Sequence, residues 1–299
     1  GGFWNLTQLW SLAYPEYYSD WIKSQLLVYQ DAGWLGDGIA CSKYVSGVGT
    51  NFTSLAIAAA YNCGIRDFDV QQGYEAALKN EVEWRGRLEG AGKMDVRQFV
   101  ERGYSPYEKR FDMVTREEGS GFGASHTMEY SFSSFAVSQF AKHLGKEDDY
   151  KLLSNLSNGW KNLYDLETRL IRPKDTKGNF LEDFNPLAPW KGFQEGNAVQ
   201  YTFYVPHQID ELVDLVGQET FNNRLDSIFL LSQKNIFGRC IIMVISLICI
   251  FLGCLTFRVN HICLKSGYVL FWMSSMASKV YMAMVMDKMR IKDNWGLGT

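Results

Sequence analysis

"YPEYYSDWIKSQLLVYQDAG", Tyr14 to Gly33, decides the fold class. Proline at a first-turn position costs a helix nothing, because its missing N–H would find no partner there, and glycine is the residue that ends a helix in a left-handed turn. Between Pro15 and Gly33, Tyr17, Trp21 and Val28 fall along roughly one side, which predicts an amphipathic helix. The neighbouring stretches read the same way. "TSLAIAAAYNCG", Thr53 to Gly64, is apolar nearly all round, as an inner helix would be. "DVQQGYEAALKNEVEW" opens with Asp69 and has Gln72 three residues on, a start resembling a capping box. "SHTMEYSFSSFAVSQFAKHLG" places Met128, Phe132, Phe135 and Leu144 on neighbouring faces and ends at Gly145. Further helices are expected over about 147–163, 194–204, 207–217 and 218–232, with a hairpin and loop in "RLIRPKDTKGNFLEDFNPLAPW", Arg169 to Trp190. No fixed-period repeat accompanies them. The expected class is all-α, a ring of helical hairpins with short β excursions and its chemistry on loops at one end.

The 299 residues are 46% apolar, enough to fill a core, and the net charge of −3 gives a nucleic-acid backbone nothing to bind. Nine Trp and sixteen Tyr are a supply of rings of the kind that line core or sugar-binding surfaces. Character changes after Ser232. Residues 1–232 carry 22 Lys and Arg against 31 Asp and Glu, whereas 233–299 carry 8 against 2. The chain therefore divides at 232/233, and the second part is an unrelated hydrophobic tail. Its "CIIMVISLICIFLGCLTF", Cys240 to Phe257, holds eighteen uncharged residues between Arg239 and Arg258, just long enough for a transmembrane helix. The competing expectation is that the tail is an artefact of reading frame or splicing, since it lacks caps, turn punctuation and amphipathic period.

Most candidate chemistries fail on spacing. His126, His143, His207 and His261 include no i, i+4 pair, which argues against zinc. The acidic runs "RDFDV" and "KEDDY" read as caps and solvated faces rather than a calcium loop. No nucleophile elbow, phosphate loop or dinucleotide fingerprint is present. Cys41 and Cys63 could pair, and three sequons begin at Asn5, Asn51 and Asn155. What remains is "GFQEGNAVQYTFYVPHQ", Gly192 to Gln208, with Glu195 among aromatics. A carboxyl there is either a helix cap or one half of an acid/base pair.

Six blocks settle which. "GFWNLTQLWSLAYPEYYSDWIKSQLLVYQDAGWL", "AAAYNCGIRDFDVQQGYEAAL", "GYSPYE", "ASHTMEYSFSSFAVSQFAKHLGKEDDY", "SNGWKNLYDLETRLIRPKD" and "FQEGNAVQYTFYVPH" occur in this order. Together they resemble the catalytic domain of glycoside hydrolase family 92, the calcium-dependent exo-acting α-mannosidases. The resemblance runs from Gly2 to about Ser232. It implies a partial (α/α)6 toroid, preceded in full-length members by a β-sandwich, and hydrolysis of α-mannosides of N-glycans or mannans with inversion. Glu195 matches the family's general acid, although Val199 stands where a Trp is usual. Trp190, Phe193, Tyr201 and Phe203 are expected to enclose that acid and withdraw it from water.

The resemblance also nominates Trp4, Trp34, Asn51, Glu129, Asn197 and His207 as sugar contacts. Thr50 and Asn51 stand where many relatives have an aspartate. The family's base lies downstream in a block resembling G-N-D-D-x-G-Q-M-S-A-W, together with calcium ligands, and none of this occurs here. The expectation is therefore an α-mannosidase chain that calcium would serve but that is catalytically incomplete. The alternative is a non-catalytic, membrane-anchored carbohydrate-binding protein.

Overall fold

The computed structural model describes residues 6–36, 38–40, 43–45, 49–88, 90–109 and 119–234. Trp4, Cys41 and the segment 240–257 lie outside them. The described residues are mostly helical, as expected, and the long helices stand in neighbouring pairs. α1 (Leu6–Ala13) packs on α2 (Pro15–Ala32), α3 (Phe52–Asn62) on α4 (Val70–Val82), α6 (Gly123–His143) on α7 (Glu147–Leu156), and α9 (Ile209–Val216) on α10 (Gln218–Lys234). Short pieces connect them: the hairpin of β1 (Gly38–Ala40) and β2 (Lys43–Val45), α5 (Val96–Arg102), the hairpin of β3 (Tyr164–Asp165) and β4 (Leu170–Ile171), and α8 (Ala198–Tyr201).

α2 begins at Pro15 and ends where Gly33 adopts a φ of 71°, its N–H donating to the Tyr29 carbonyl at 2.7 Å. Its buried stripe differs from the expected one. Tyr18, Ile22 and Leu26 face the core, while Tyr17 is 63% exposed. Each fully buried side chain of this size contributes about 1.5–3 kcal/mol. The stripe is rotated by one residue because Tyr18 has a partner inside, donating to the Ala56 carbonyl of α3 at 2.7 Å. Asp69 caps α4 by accepting from the Gln72 N–H at 2.9 Å. Asp149 of the second acidic run accepts the Tyr74 hydroxyl at 2.6 Å, while no side chain of that run caps α7.

The central element is α6. It packs against α3, α4 and α7 and is buried on nearly every side, with Ser131, Ser133, Ser134 and Ser138 inside as well as Met128, Phe132 and Phe140. Small hydroxyl side chains let neighbours approach, and their own polarity is met locally: Ser131 donates to the Thr127 carbonyl at 2.7 Å and Ser138 to the Phe135 carbonyl at 2.7 Å. The helix expected over 194–204 reduces to a turn followed by the four residues of α8. Among the described residues no helix is long and apolar enough to cross a membrane. Cys63 is a free, exposed thiol.

Candidate active site

The first two turns of α6 gather three loops. Residue 49 lies against one side: a side chain there would sit 2.0 Å from Cδ2 of His126, so Gly49, at a φ of 67°, fits only as glycine. Nδ1 of His126 faces Oδ2 of Asp95 at 2.7 Å, both fully buried, and Ser105 donates to the same oxygen at 2.8 Å. Asp95 itself is left-handed, with a φ of 56°. The third loop carries Glu195. Ser125 holds it twice, donating its N–H to the Gly192 carbonyl at 3.1 Å and accepting the Gln194 N–H on its hydroxyl at 3.1 Å.

The Glu195 turn is further braced from below. The Tyr201 hydroxyl donates to the Gln194 carbonyl at 3.1 Å, and its ring stacks on Phe193 at 5.5 Å. Gly192 is required where it stands, because a Cβ would meet Pro173 at 2.3 Å. Asn197 closes a capping box with Gln200, accepting its N–H at 3.1 Å while the Asn197 N–H is taken by the Gln200 side chain at 3.1 Å. Glu195 is left between these anchors at a φ of 53°, which costs a residue other than glycine about 1–2 kcal/mol. Its carboxylate is half-buried and makes no hydrogen bond among the described residues. The aromatic surround is smaller than expected: Trp190 is 55% exposed, and Phe203 packs edge-on to Phe221 of α10.

Glu129 lies one helical turn beyond Ser125, about 6 Å along the axis and on the same side. It is buried and accepts the Tyr204 hydroxyl at 2.6 Å. Both Glu129 and Glu195 add to the burial that pushes the Tyr201 hydroxyl up from its ordinary pKa. Of the nominated residues, Glu195, Asn197 and Glu129 are thus brought together.

Trp4 lies outside the described residues, and Asn51, Trp34 and His207 make the following contacts. Asn51 is buried and donates to Glu81 at 2.5 Å while accepting from Ser54 at 3.0 Å. Glu81 in turn pairs with Lys93, both fully buried, and accepts Ser134 at 2.7 Å and Ser133 at 3.2 Å. Burial pushes the Lys93 amine down, against the pull of Glu81. Trp34 is buried under the Lys79 ammonium, 4.3 Å above its ring. His207 stacks on Phe132 and donates Nε2–H to the Ser157 carbonyl at 3.0 Å, about 10 Å farther along α6 than Ser125. Ser125, His126, Tyr204 and the Glu81–Lys93 pair were not visible as site residues in sequence, whereas Tyr201 was expected beside the acid. The spacing of Ser125 and Glu129, i and i+4 in the most polar third of α6, is the one signal that points to a shared face.

The order of the sequence blocks agrees with the comparisons to known proteins. The sequence matches the glycosyl hydrolase family 92 catalytic domain over residues 1–246. The chain belongs to that family. An uncharacterized secreted glycosidase of Arthroderma benhamiae is 30% identical over 254 residues, covering 73% of this chain and 31% of that protein. A family 92 α-mannosidase of Bacteroides thetaiotaomicron is similar in structure, with a TM-score of 0.67 and 26% identity over 76% of this chain and 29% of the other. The structure of that α-mannosidase in complex with mannoimidazole gives 0.68 and 26%, over 77% of this chain and 29% of the other. This family 92 chain spans about a third of the length of the relatives it matches. The family match extends past the compositional change near Ser232.

Among the described residues no three His, Cys, Asp or Glu side chains converge on one point. Glu129 accepts the Tyr204 hydroxyl, and both Glu129 and Glu195 act electrostatically on Tyr201.

Proposed function

We propose that this chain supplies the general-acid side of an inverting, exo-acting α-mannosidase, with Glu195 delivering the proton to the departing glycosidic oxygen. The observation that carries the reading is the presentation of Glu195. Its neighbours on both sides are anchored, its backbone is held in a left-handed turn, and the residue is only half-buried. An acid that must meet a sugar oxygen in one orientation gains from such a frame, since general acid catalysis depends on geometry before proton affinity. Inversion requires a second carboxylate about 6.5–9.5 Å away, with a water between it and the anomeric carbon. In the family that base lies in the downstream N-D-D-x-G-Q-M-S-A-W block. The reading takes residues 1–232 as the catalytic-domain unit, 233–299 as a separate segment, and residues 1–299 as unable to complete the reaction alone.

The test is hydrolysis of α-1,2-mannobiose by the chain joined to that downstream block. Proton NMR should detect β-mannose as the first product, and Glu195→Gln should lower kcat about 10²–10⁴-fold. Full activity in Glu195→Gln removes the acid assignment, α-mannose as first product removes inversion, and turnover by residues 1–299 alone removes the claim of incompleteness.

A further inference from the structure

Glu129 is buried on α6, yet nothing in acid catalysis by Glu195 calls for a second carboxylate on that side. Its place in the fold offers one. The Glu129 carboxylate accepts the Tyr204 hydroxyl at 2.6 Å, and Phe132, on the next turn of α6, meets the Tyr204 ring edge-on at 6.2 Å. Tyr204 is therefore fixed at both its hydroxyl and its ring. It packs against Tyr201 at 6.1 Å, and Tyr201 is the residue that holds the Gln194 carbonyl and stacks on Phe193. The same helix reaches the turn a second way, through Ser125 and the Gln194 N–H. Gln194 is thus held at its N–H directly by α6 and at its carbonyl through two tyrosines that end on Glu129.

We propose that Glu129 is a positioning residue for Glu195: its carboxylate locks Tyr204, Tyr204 locks Tyr201, and Tyr201 holds the turn that aims the acid. This rests on the reading of Glu195 as the acid for its meaning in catalysis, though not for its geometry. A hydrogen bond to a charged acceptor is the strong kind, and neither tyrosine gives up its proton easily, because burial and the Glu129 charge both push their pKa values up. Both hydroxyls therefore keep their protons at neutral pH and remain donors.

Backbone hydrogen exchange of the full chain tests the relay at Gln194, whose N–H is bonded to Ser125. In Glu129→Ala and in Tyr204→Phe, Gln194 should exchange about 10-fold faster or more, the loss expected for a charge-assisted bond, while amides of α3 and α4 keep their protection. Glu129→Gln still presents an oxygen to Tyr204 and should restore most of the protection, which a generally loosened core would not. Unchanged exchange at Gln194 in both Glu129→Ala and Tyr204→Phe overturns the proposal, as does a loss of protection spread equally over α3 and α4. Glu195→Gln should leave Gln194 exchange as it is. A failure of the acid assignment would therefore appear only in hydrolysis, and a failure of the positioning role only in exchange.

Discussion

Two carboxylates, Glu81 of α4 and Glu195 of the turn before α8, belong to segments bonded to α6 and are treated in opposite ways. Glu81 is fully buried, and its two oxygens take Asn51, Lys93, Ser133 and Ser134. Glu195 is half in water, in a strained turn, with its backbone tied and its carboxylate without a hydrogen bond among the described residues. The first arrangement spends every acceptor on holding α3, α4, the Lys93 loop and α6 together. The second withholds its acceptor atoms from the protein and leaves them for something else. A site is recognised here less by its charge than by what its neighbours decline to bond.

Glu81→Ala would test the first half most severely. It strands the Lys93 ammonium in the core and should cost about 3–5 kcal/mol in chemical denaturation. A loss below about 1 kcal/mol would mean that water reaches Lys93, and the contrast would collapse.

A subtler probe is His207, which belongs with Glu81 as scaffold. Burial pushes its imidazole down to about 4 from the ordinary 6.5. The folded protein therefore keeps this ring neutral where the unfolded chain takes a proton. Its contribution is complete above pH 6.5 and fades as pH falls towards 4, a loss of about 2–3 kcal/mol. His207→Gln should flatten that part of the stability profile. If the profile is unchanged, the ring is not enclosed as described.

The smallest effect carries the opposite sign. Glu195→Gly relieves the left-handed backbone and should raise stability by about 0.5–1 kcal/mol while abolishing any hydrolysis that depends on the carboxyl. A destabilised Glu195→Gly variant would mean that Glu195 is structural after all.

How much of this could be read from residues varies with distance along the chain. Pro15, Gly33, Asp69 and Gly145 mark helix limits through local stereochemistry, and those limits hold to within a residue or two. The buried stripe of α2 was displaced because Tyr17 and Tyr18 are equivalent until one finds the Ala56 carbonyl, 38 positions away. Glu81 reads as a solvated residue on an amphipathic helix, since its cation arrives from a glycine-rich loop with no periodicity. The short α5 and the β1–β2 hairpin carry no pattern long enough to announce themselves. Glu195 stood out through the order of its blocks, whereas its brace of Ser125, Tyr201 and Tyr204 emerges only when α6 and α8 meet.

Gly49 and His126 offer a last consequence. The imidazole occupies the space that any side chain at position 49 would need. Two positions 77 apart in sequence are thereby sterically coupled. A larger residue at 49 would meet both the ring and a left-handed backbone, and losing the ring would leave the Asp95 carboxylate in the core without its imidazole. One point of contact thus ties a loop glycine to the polarity of the core beneath it.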